Sequence, residues 1–546
     1  MGEKVAVQAR AAEGESERRI AAVVLPELLC ELVSLARRGS KQPPLGVVLA
    51  EGSEFGPDAK LEGVNAAAQR FGVCPGQSIA EARALLASLE VRPLSREKLQ
   101  AALGRVAEAA LAFGPTVGIQ LPSPSGAGVS AGDTVWVDIT GSAHLFGGEA
   151  KLLFDLGNLV RGMGHVTRMA SARGPRLAQA LARYSPLARA LRKPRIFDTA
   201  EEIAALPIMA LPLEAQQAAW LARLGILTVG DLGRLPRASA AARLGEGSRE
   251  VLDFCEGRDP TPLVAYQPAR VLAEEVSFDA PVDGSQPLLF ALRGLLFRLS
   301  VRLAGRGEAA HVVRLQLLHD RSIAQLRRVS EATELQFELP SPLWREEELW
   351  RVIVARLERT ELTAPTVSLR LEVPEITRAV THQLELGQVA SGATALQSES
   401  LPALLAELTA DLGPEQVGVL EYIDSHRPEA KSRLVPLQRR QAKRRKKQEP
   451  QPACPPFAHE PTRLFSPPVP IHTELRVGAT FAIHHRLYTI EEISFEQRLD
   501  VTEWWSPDSV SRDYLRLRLA GVEGMIEALV FVDRKSGARF LQAILD

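Results

Sequence analysis

Apolar and polar positions follow two different patterns along the first third of the chain, one typical of strands and one typical of helices. Ile20–Leu25 is an unbroken apolar run typical of a buried central strand, and Gly46–Ala50 predicts a second strand. Helical spacing over Arg96–Phe113 is followed by a strand-like run at Thr134–Thr140 and a helical stretch at Pro175–Tyr184. Mixed signals of this kind predict an α/β domain. Shorter helices are predicted at Gly63–Arg70, Ser78–Leu89 and Leu145–Arg161.

The pattern changes further along the chain. Ala204–Gly257 is nearly all helix and short turns. From Arg270 to Pro374 helical stretches alternate with strand signals such as Val312–Leu317 and Thr366–Val373, which predicts a separate α+β domain. A helical stretch returns at Leu401–Leu412, and strand signals follow in the carboxy-terminal part. The predicted fold is therefore a multidomain α/β and α+β protein with a small β-rich carboxy-terminal module.

Composition narrows the class of protein only a little. A length of 546 residues favours several domains, and 46% apolar with 24% charged residues is ordinary for a soluble chain. Because the formal net charge is -1, binding to nucleic acid would depend on local basic clusters. The four cysteines are far apart and form no CxxC pair, which argues against a zinc or disulfide framework and favours a reducing, cytoplasmic compartment. Met1–Arg18 is predicted to be a disordered lead-in, and no apolar run is long enough for a membrane span.

One short motif contains a distinctive turn. Leu221–Leu232 resembles a helix-hairpin-helix, with Gly225 in the turn and a second helix that begins at Thr228 and contains Gly230. A helix start of this type presents backbone N–H groups that can hold a DNA phosphate, so these three residues are predicted DNA contacts. The alternative is an ordinary pair of antiparallel helices without a ligand.

Four segments in this order resemble the Y-family (translesion) DNA polymerases. Ala68–Ala82 is similar to their fingers segment, Asp133–Thr140 to their central palm strand and Ser171–Ala182 to the palm helix that follows. The hairpin, with Gly245 and Gly257 downstream, is similar to their thumb. The resemblance implies a right hand of palm, fingers, helical thumb and little finger. The implied segments are a lead-in at 1–18, palm at 19–45 and 96–195, fingers at 46–95, thumb at 196–262, little finger at 270–380, a clamp-motif and connecting segment at 381–437, a basic and Pro-rich linker at 438–470 and a partner-binding module at 471–546.

The catalytic positions of this family have changed. Nucleotidyl transfer needs carboxylates that converge on two metal ions, and the family supplies an Asp from the first palm strand and an Asp-Glu pair from the central strand. Here Leu25 stands at the first position, and Asp133 and Thr134 stand at the pair. Glu27 lies close by, but Pro26 disturbs the strand geometry between them.

The positions that hold the nucleotide have changed as well. The family binds the triphosphate with Tyr, Arg and Lys side chains, and Ala66, Gln69 and Pro175 stand there. Arg173 and Arg176 are close enough in sequence to substitute in part. With one dependable carboxylate and few cations, the chain is predicted to be a pseudo-polymerase with no catalytic residues, no metal and no cofactor.

Two alternatives stay open from the residues alone. An active translesion polymerase would use Glu27, Asp133 and Asp138 in a shifted register, although Asp138 matches a family Asp expected to be structural. A pure protein-interaction hub would never contact DNA.

Two later segments resemble motifs of a Y-family-like group of accessory proteins in bacterial damage-induced mutagenesis. They are Asp424–Ala430 and Glu503–Tyr514. The resemblance implies partners for the carboxy-terminal module, namely an error-prone replicative-type polymerase and a RecA-like accessory protein. The alternative role of the adjacent Trp504 and Trp505 is packing in the core of the module. The predicted partner-binding residues are Trp504, Trp505, Arg512, Asp513 and Tyr514.

A short peptide, His382–Gly387, resembles the motif that binds the sliding clamp. Gln383, Leu384 and Leu386 would be its anchors, because short extended peptides dock through two or three buried side chains. Gly387 stands where a final aromatic residue is expected, and an exposed linker is the alternative.

A basic run, Arg439–Lys447, holds seven basic residues in nine. Such a run binds phosphates through counterion release, which depends on salt and reads no sequence. A solvated linker is the alternative. The whole chain is predicted to be a non-catalytic adaptor that binds primer-template DNA and the sliding clamp in SOS-induced translesion synthesis. The predicted DNA contacts of the run are Arg439, Arg440, Lys443, Arg444 and Arg445.

Overall fold

The structure is a computed structural model of the chain. It divides into two compact units, Met1–Asp411 and Leu412–Asp546, each with its own hydrophobic cores. The structure describes residues 18–34, 43–52, 55–121, 132–186, 198–245, 247–379, 393–413, 415–423, 425–437, 463–483, 486–502, 510–521 and 524–545.

The first part of the first unit alternates strands and helices, as the pattern predicts. A short 3₁₀ helix at Ala143–Phe146 precedes the helix predicted from Leu145, which begins later, at Glu149. In chain order the elements are β1 Ile20–Val24, α1 Leu28–Val33, β2 Leu45–Leu49, β3 Gly63–Val64, α2 Ala66–Gln69, α3 Ile79–Leu85, β4 Glu90–Leu94, α4 Arg96–Ala110, β5 Thr116–Ile119, β6 Thr134–Asp138, α5 Glu149–Gly162, β7 Arg168–Ala172 and α6 Pro175–Tyr184.

A four-stranded antiparallel sheet in the order β5-β6-β1-β7 forms the centre of this part. Every residue of β1 is buried, as its unbroken apolar run predicts. One face of the sheet packs against α4 and α5, and the other packs against α6. The sheet brings the end of β1 next to the start of β6, which is where the predicted catalytic positions lie.

A smaller sheet, in the order β3-β2-β4, lies in the segment predicted to be fingers. The helix predicted from Gly63 begins only at Ala66, because Gly63 pairs with Val47 in the sheet and Asn65 caps the helix by accepting from the Ala68 N–H. The short strands β4, β5 and β7 were not predicted. In the segment that resembles the palm helix, Ser171 still belongs to β7.

The next part is helical, as predicted, and shares a hydrophobic core with α6. Its elements are α7 Ala200–Ala204, a 3₁₀ helix at Ile208–Ala210, α8 Ala215–Arg223, α9 Val229–Gly233, α10 Arg237–Leu244 and α11 Ser248–Cys255.

The α+β domain completes the first unit. Its antiparallel sheet has the order β10-β9-β11-β8, and one face is covered by α12 and α14. Ala406 of α15 joins the same core. The elements are β8 Leu272–Val282, α12 Ser285–Arg306, β9 Glu308–His319, α13 Arg321–Arg327, β10 Ala332–Leu343, α14 Glu346–Glu358, β11 Thr366–Arg378 and α15 Ala393–Leu412.

Helix α12 also packs against α4 of the α/β domain. Gly305 comes so close that an added Cβ would lie 2.0 Å from the Glu108 carbonyl oxygen. Beside this contact, Arg302 donates to the buried carboxylates of Glu108, at 2.9 Å, and Glu274, at 2.6 Å. The α+β domain is therefore held to the α/β domain by backbone contact and a buried ionic cluster.

The second unit is β-rich. A hairpin is followed by a six-stranded antiparallel sheet in the order β14-β19-β18-β17-β16-β15, and a short 3₁₀ helix at Pro428–Ala430 lies in the hairpin loop. The predicted layout, α/β then α+β with a β-rich carboxy-terminal module, is confirmed. The elements are β12 Gly418–Tyr422, β13 Ser432–Pro436, β14 Arg463–Ile471, β15 Thr480–Ile483, β16 Arg486–Thr502, β17 Val510–Gly521, β18 Gly524–Asp533 and β19 Arg539–Leu545.

Candidate functional site

The predicted catalytic positions meet at one end of the four-stranded sheet. Val24 at the end of β1 pairs with Thr134 at the start of β6. One residue further, the Leu25 N–H donates to the Asp133 carbonyl oxygen at 2.8 Å. The structure therefore brings Leu25, Asp133 and Thr134 together, as the resemblance implies.

Two of these three side chains cannot offer a carboxylate. Leu25 is fully buried in the core on the α4 side of the sheet. Thr134 is fully buried too, and its hydroxyl donates to Asp133 Oδ1 at 3.0 Å and accepts from Gln179 Nε2 at 2.9 Å. Of these three side chains, only Asp133 carries a carboxylate.

Asp133 is already paired with a cation. Arg183, in the last turn of α6, donates through Nη2 to Asp133 Oδ1. The side chains of Arg183 and Asp133 are only 18% and 7% exposed. No local sequence signal points to Arg183, because it lies 50 positions from Asp133 and only the packing of α6 on the sheet joins the two residues.

The other two carboxylates proposed for an active enzyme have different surroundings. Glu27 is exposed at the start of α1. Asp138 pairs with Ile20 at the opposite end of the sheet, about 16 Å from Asp133 at the usual rise of a strand. Its carboxylate accepts from the Thr140 N–H at 3.0 Å, which is a structural role.

The residues present do not fit a two-metal centre. Two divalent ions a few ångströms apart need several converging oxygen ligands of negative charge. Within the part of the chain that the structure describes, no group of three or more His, Cys, Asp or Glu could hold a metal ion. At the family positions, the donor set is one carboxylate that already accepts from an arginine and a threonine.

A cleft of about 380 Å³ opens beside this ion pair. Cys30 and Glu62 lie in its wall together with Asp133 and Arg183. Burial, with the charges of Glu27 and Glu31, raises the pKa of Cys30 to about 12, so its thiol stays protonated. Burial also raises the pKa of Glu62, against the opposing charge of nearby basic side chains. The charged side chains that line the cleft, Glu62 and Asp133 against Arg168 and Arg183, are equal in number.

The predicted nucleotide-holding positions offer no cation. Gln69 Nε2 donates to the Val64 carbonyl oxygen at 3.0 Å. Pro175 is the first residue of α6, and its carbonyl accepts from Trp136 Nε1 at 2.8 Å. The two arginines considered as substitutes face carboxylates, with Arg173 3.6 Å from Asp198 and Arg176 2.5 Å from Glu250.

The predicted helix-hairpin-helix is formed by α8 and α9. Gly225 adopts a φ of 84°, which favours glycine, and Thr228 caps α9 by accepting from the Asp231 N–H. Gly230 lies against α7, where an added Cβ would be 3.0 Å from both the Cβ and the carbonyl oxygen of Ala204. Each of the three residues therefore has a clear local structural role.

The backbone N–H groups of this turn are occupied within the hairpin. Those of Gly225 and Ile226 donate to carbonyls of α8 at 3.0 and 3.1 Å. Those of Leu227 and Thr228 donate to the Asp231 carboxylate at 3.3 and 3.0 Å. Hydrogen bonds from Thr228 hold the pKa of Asp231 below its ordinary value. A carboxylate of the chain thus takes the position where a phosphate was expected.

In the second unit, two predicted motifs come together. Arg512 donates to Glu429 of the Asp424–Ala430 segment at 2.7 Å and to Tyr514 Oη at 3.1 Å. The Arg512 guanidinium also lies 4.2 Å from the centre of the Phe531 ring. These contacts attach the hairpin loop to the six-stranded sheet.

The remaining residues of this motif are also used inside the unit. Asp513 accepts from Arg498 at 2.6 and 3.2 Å, and Tyr514 is 2% exposed. Arg512, Asp513 and Tyr514 therefore stabilise the module, and Tyr514 presents almost no surface to a partner.

Several predicted site residues lie outside the described residues. The group comprises the clamp-binding peptide, the basic run and the Trp pair. They are Gln383, Leu384, Leu386, Arg439, Arg440, Lys443, Arg444, Arg445, Trp504 and Trp505.

Most of the chain is similar in sequence to a known protein. No protein-family model matches. Over 450 residues the chain is 28% identical to Protein ImuB of Caulobacter vibrioides (strain NA1000 / CB15N), covering 80% of this chain and 89% of that protein. The chain is similar to ImuB over most of its length. A shorter stretch of 194 residues is 26% identical to DNA polymerase IV of Caulobacter vibrioides, covering 34% of this chain and 46% of that protein.

Solved polymerase structures are also similar to the ImuB-like chain, at low identity. DinB from Sulfolobus solfataricus is 11% identical over 66% of this chain and 100% of that chain, with a TM-score of 0.35. A Y-family DNA polymerase chimera of Dbh and Dpo4 is 12% identical over 65% of this chain and 98% of that chain, with a TM-score of 0.35. Among the described helices, none has the length and apolar character needed to cross a bilayer.

Proposed function

We propose that this ImuB-like chain is a non-catalytic, polymerase-like adaptor that acts in the cytoplasm in SOS-induced translesion synthesis. In this role it binds primer-template DNA and the sliding clamp and recruits an error-prone polymerase. The observation that carries the proposal is the small number of free carboxylates at the palm-like site, which is formed by Leu25, Asp133 and Thr134. Leu25 is buried at the first metal-ligand position, and the one carboxylate left, Asp133, is paired with Arg183.

The absence of activity follows from the chemistry of the transferred phosphoryl group. Metal ions and cations stabilise the charge that develops during transfer, and a single lost contact of this kind typically costs about 2.7–4 kcal/mol. The two ligand positions beside Asp133 carry Leu25 and Thr134, and the triphosphate positions carry no cation. Several such losses at one site leave no route to nucleotidyl transfer, although their costs need not add.

The alternative of an active polymerase finds little support in the fold. It needs at least two of Glu27, Asp133 and Asp138 within coordinating distance of one ion, and Asp138 lies at the end of β6 away from Asp133. A site built from Glu27 and Asp133 would have to compete with Arg183 for the Asp133 carboxylate.

Binding to DNA is proposed from the basic run and the polymerase-like body. The run from Arg439 to Lys447 carries enough positive charge to release counterions from several phosphates, so its binding should weaken as salt rises. At the hairpin, Gly225, Thr228 and Gly230 are still proposed as DNA contacts. Since Asp231 occupies the turn amides, a phosphate would have to displace its carboxylate there.

The remaining contacts are proposed for segments on either side of the α15 helix. Gln383, Leu384 and Leu386 would bind the sliding clamp, and the module at 471–546 would bind the error-prone polymerase and the RecA-like protein. Because Arg512 and Tyr514 are used within the module, the partner surface is proposed to include the hairpin loop that Arg512 holds, together with Trp504 and Trp505.

A primer-extension assay tests the proposal. The purified full-length chain is incubated with a primer-template, Mg²⁺ and deoxynucleotides beside an active DNA polymerase IV. We expect no extension by the wild type and no change in Asp133→Ala. Extension by the wild type that disappears in Asp133→Ala would show an enzyme and overturn the adaptor role.

The clamp contact has its own test. Replacing Gln383, Leu384 and Leu386 with Ala should abolish association with the sliding clamp, measured by surface plasmon resonance, because it removes the buried anchors. A control variant, Glu385→Ala with Gln388→Ala, changes the same peptide between and beyond the anchors and should keep clamp binding. Binding to a primer-template should be equal in all three proteins. Unchanged clamp binding in the triple variant would place the docking site elsewhere.

A further inference from the structure

The palm-like site contains an ion pair between Asp133 and Arg183 that the loss of metal ligands alone does not explain. We propose that the guanidinium of Arg183 replaces a divalent metal ion as the permanent counter-charge of Asp133, and that it closes this site to metal ions. The proposal rests on the proposed non-catalytic function and deepens it, because it states how the site is kept closed. Restoring the missing carboxylates would then not be enough to restore metal binding.

The first support is the burial of the carboxylate. Asp133 is 5% exposed, and an ionised carboxylate at that depth is strongly unfavourable without a cation or several hydrogen-bond donors. In a metal site the ion supplies that charge. Here Arg183 supplies it from within the chain, and the pair is nearly closed to solvent.

The second support is the direction of the donors. Arg183 Nη2 and the Thr134 hydroxyl both donate to Asp133 Oδ1. A metal ion at this oxygen would have to displace both donors. A glutamate in place of Thr134 would remove one of them, but Arg183 would still be in contact.

The third support is the way Arg183 is held. Arg183 and Gln179 are one helical turn apart on α6 and face the same end of the sheet. Gln179 Nε2 donates to Thr134 Oγ1 at 2.9 Å and to Gln120 Oε1 at 2.5 Å, and Arg168 Nη1 donates to the Arg183 carbonyl oxygen at 2.9 Å. Contacts from β6 and β7 thus fix the end of α6, so the guanidinium is positioned by packing.

These contacts predict what carboxylates reintroduced at positions 25 and 134 would bind. Thr134→Glu and Leu25→Asp would add negative charge next to Asp133, whose guanidinium partner is permanently charged. Because the Thr134 hydroxyl and Arg183 contact the same Asp133 oxygen, the carboxylate of Thr134→Glu would lie beside Arg183 and pair with it. A metal ion would then compete with a tethered cation for every ligand.

The experiment measures Mn²⁺ binding by the full-length chain, using the loss of the free-ion electron paramagnetic resonance signal. Four proteins are compared: the wild type, Leu25→Asp/Thr134→Glu, the same pair with Arg183→Met, and the same pair with Arg161→Met. Arg161 is a matched control, since it lies in the last turn of α5 and its guanidinium binds Asn158 at the surface. We expect Mn²⁺ affinity at least tenfold higher in the variant without Arg183 than in the other three proteins.

Two results would overturn the proposal. One is equally tight Mn²⁺ binding by Leu25→Asp/Thr134→Glu with Arg183 in place. The other is no Mn²⁺ binding in the folded variant that lacks Arg183. Neither result depends on primer extension, so failure of the non-catalytic function would be seen separately, as nucleotide incorporation by the wild type.

A second measurement applies if the triple variant does not fold. Thermal unfolding is compared for Arg183→Met, Asp133→Asn and the two combined. If the pair is a charge and its counter-charge, the combined variant should unfold at a higher temperature than Arg183→Met alone, because no buried carboxylate is left unpaired. Losses that simply add would show that Arg183 is not the counter-charge of Asp133.

Discussion

At the scale of single residues, the neighbours of a carboxylate decide what it does. Asp133 has the residue type that a metal site needs, but Arg183 and the Thr134 hydroxyl both donate to it. In the second unit, Glu429 accepts from Arg512 at 2.7 Å in the same manner. The family resemblance pointed to Asp133 and to Arg512, and only their contacts show what they do.

The Glu429 contact predicts how the second unit responds to pH. Burial raises the pKa of Glu429, but its own backbone N–H and the Arg512 guanidinium outweigh this effect, so the pKa lies below its ordinary value of 4.5. A carboxylate with a lowered folded-state pKa contributes stability above its unfolded pKa and loses it as the pH falls through the folded value. Acid should therefore release the hairpin loop from the sheet.

Hydrogen exchange of the 425–431 segment checks this prediction. Exchange of the wild-type segment, corrected for the intrinsic pH dependence, should rise as the pH falls below about 4.5. Glu429→Gln should already exchange faster at pH 7 and change little with acid. Glu421→Gln is the control, because its partner Arg433 lies 3.0 Å away in an exposed pair that contributes little. Equal protection of the loop in all three proteins at pH 7 would mean that Glu429 does not hold it.

At the scale of elements, local sequence signals explain some helices, whereas pairing with a distant strand explains β7. The long helix α4 and the cap at Thr228 follow from periodicity and capping chemistry. Strand β7, with the sequence Arg-Met-Ala-Ser-Ala, has small residues and no alternation, so nothing local marks it. It is a strand because each of its residues pairs with one in β1.

The helix-hairpin-helix at Leu221–Leu232 contains a local sequence signal for a capping box. Thr228 and Asp231 have the spacing of a capping box, in which the third helical residue reaches back to the backbone N–H of the cap. That spacing is visible in the sequence and would have predicted that the turn amides are occupied. The expected phosphate site was derived from the glycines and the helix start at Thr228, without the Asp231 carboxylate.

At the scale of the whole first unit, one ionic cluster joins two domains. Arg302 lies between Glu108 of α4 and Glu274 of β8, and these three residues are 1–5% exposed at their side chains. Removing the cation from a buried pair typically costs about 3–5 kcal/mol, but here Glu274 would keep Arg298 at 2.8 Å, and Glu108 would keep Tyr266 at 3.3 Å and Arg306 at 3.7 Å. Arg302→Met should therefore lower the free energy of unfolding by about 3 kcal/mol, the lower end of that range.

Urea unfolding of the full chain measures this effect. The matched control is Arg321→Met in the same α+β domain, where the pair with Glu331 is 3.4 Å long and its side chains are 78% and 52% exposed. The control should change the unfolding free energy by less than about 1 kcal/mol. Similar losses in the two variants would refute a special role for the Arg302 cluster in holding the domains together.

The sequence by itself determined the order of the α/β, α+β and β-rich parts and the residue types at the positions that resemble the family's catalytic site. The Leu25 side chain cannot bind a metal ion in any fold, and the apolar run that begins at Ile20 is buried in the central sheet. Only the tertiary structure decided what Asp133 does, because its partner Arg183 lies 50 residues away on a helix that packs across the sheet. It likewise decided that Arg512 is an internal contact, since Glu429 lies 83 residues earlier in the chain. Periodicity and capping depend on neighbours within a few residues, whereas a charge in the interior is set by whichever group the fold brings next to it.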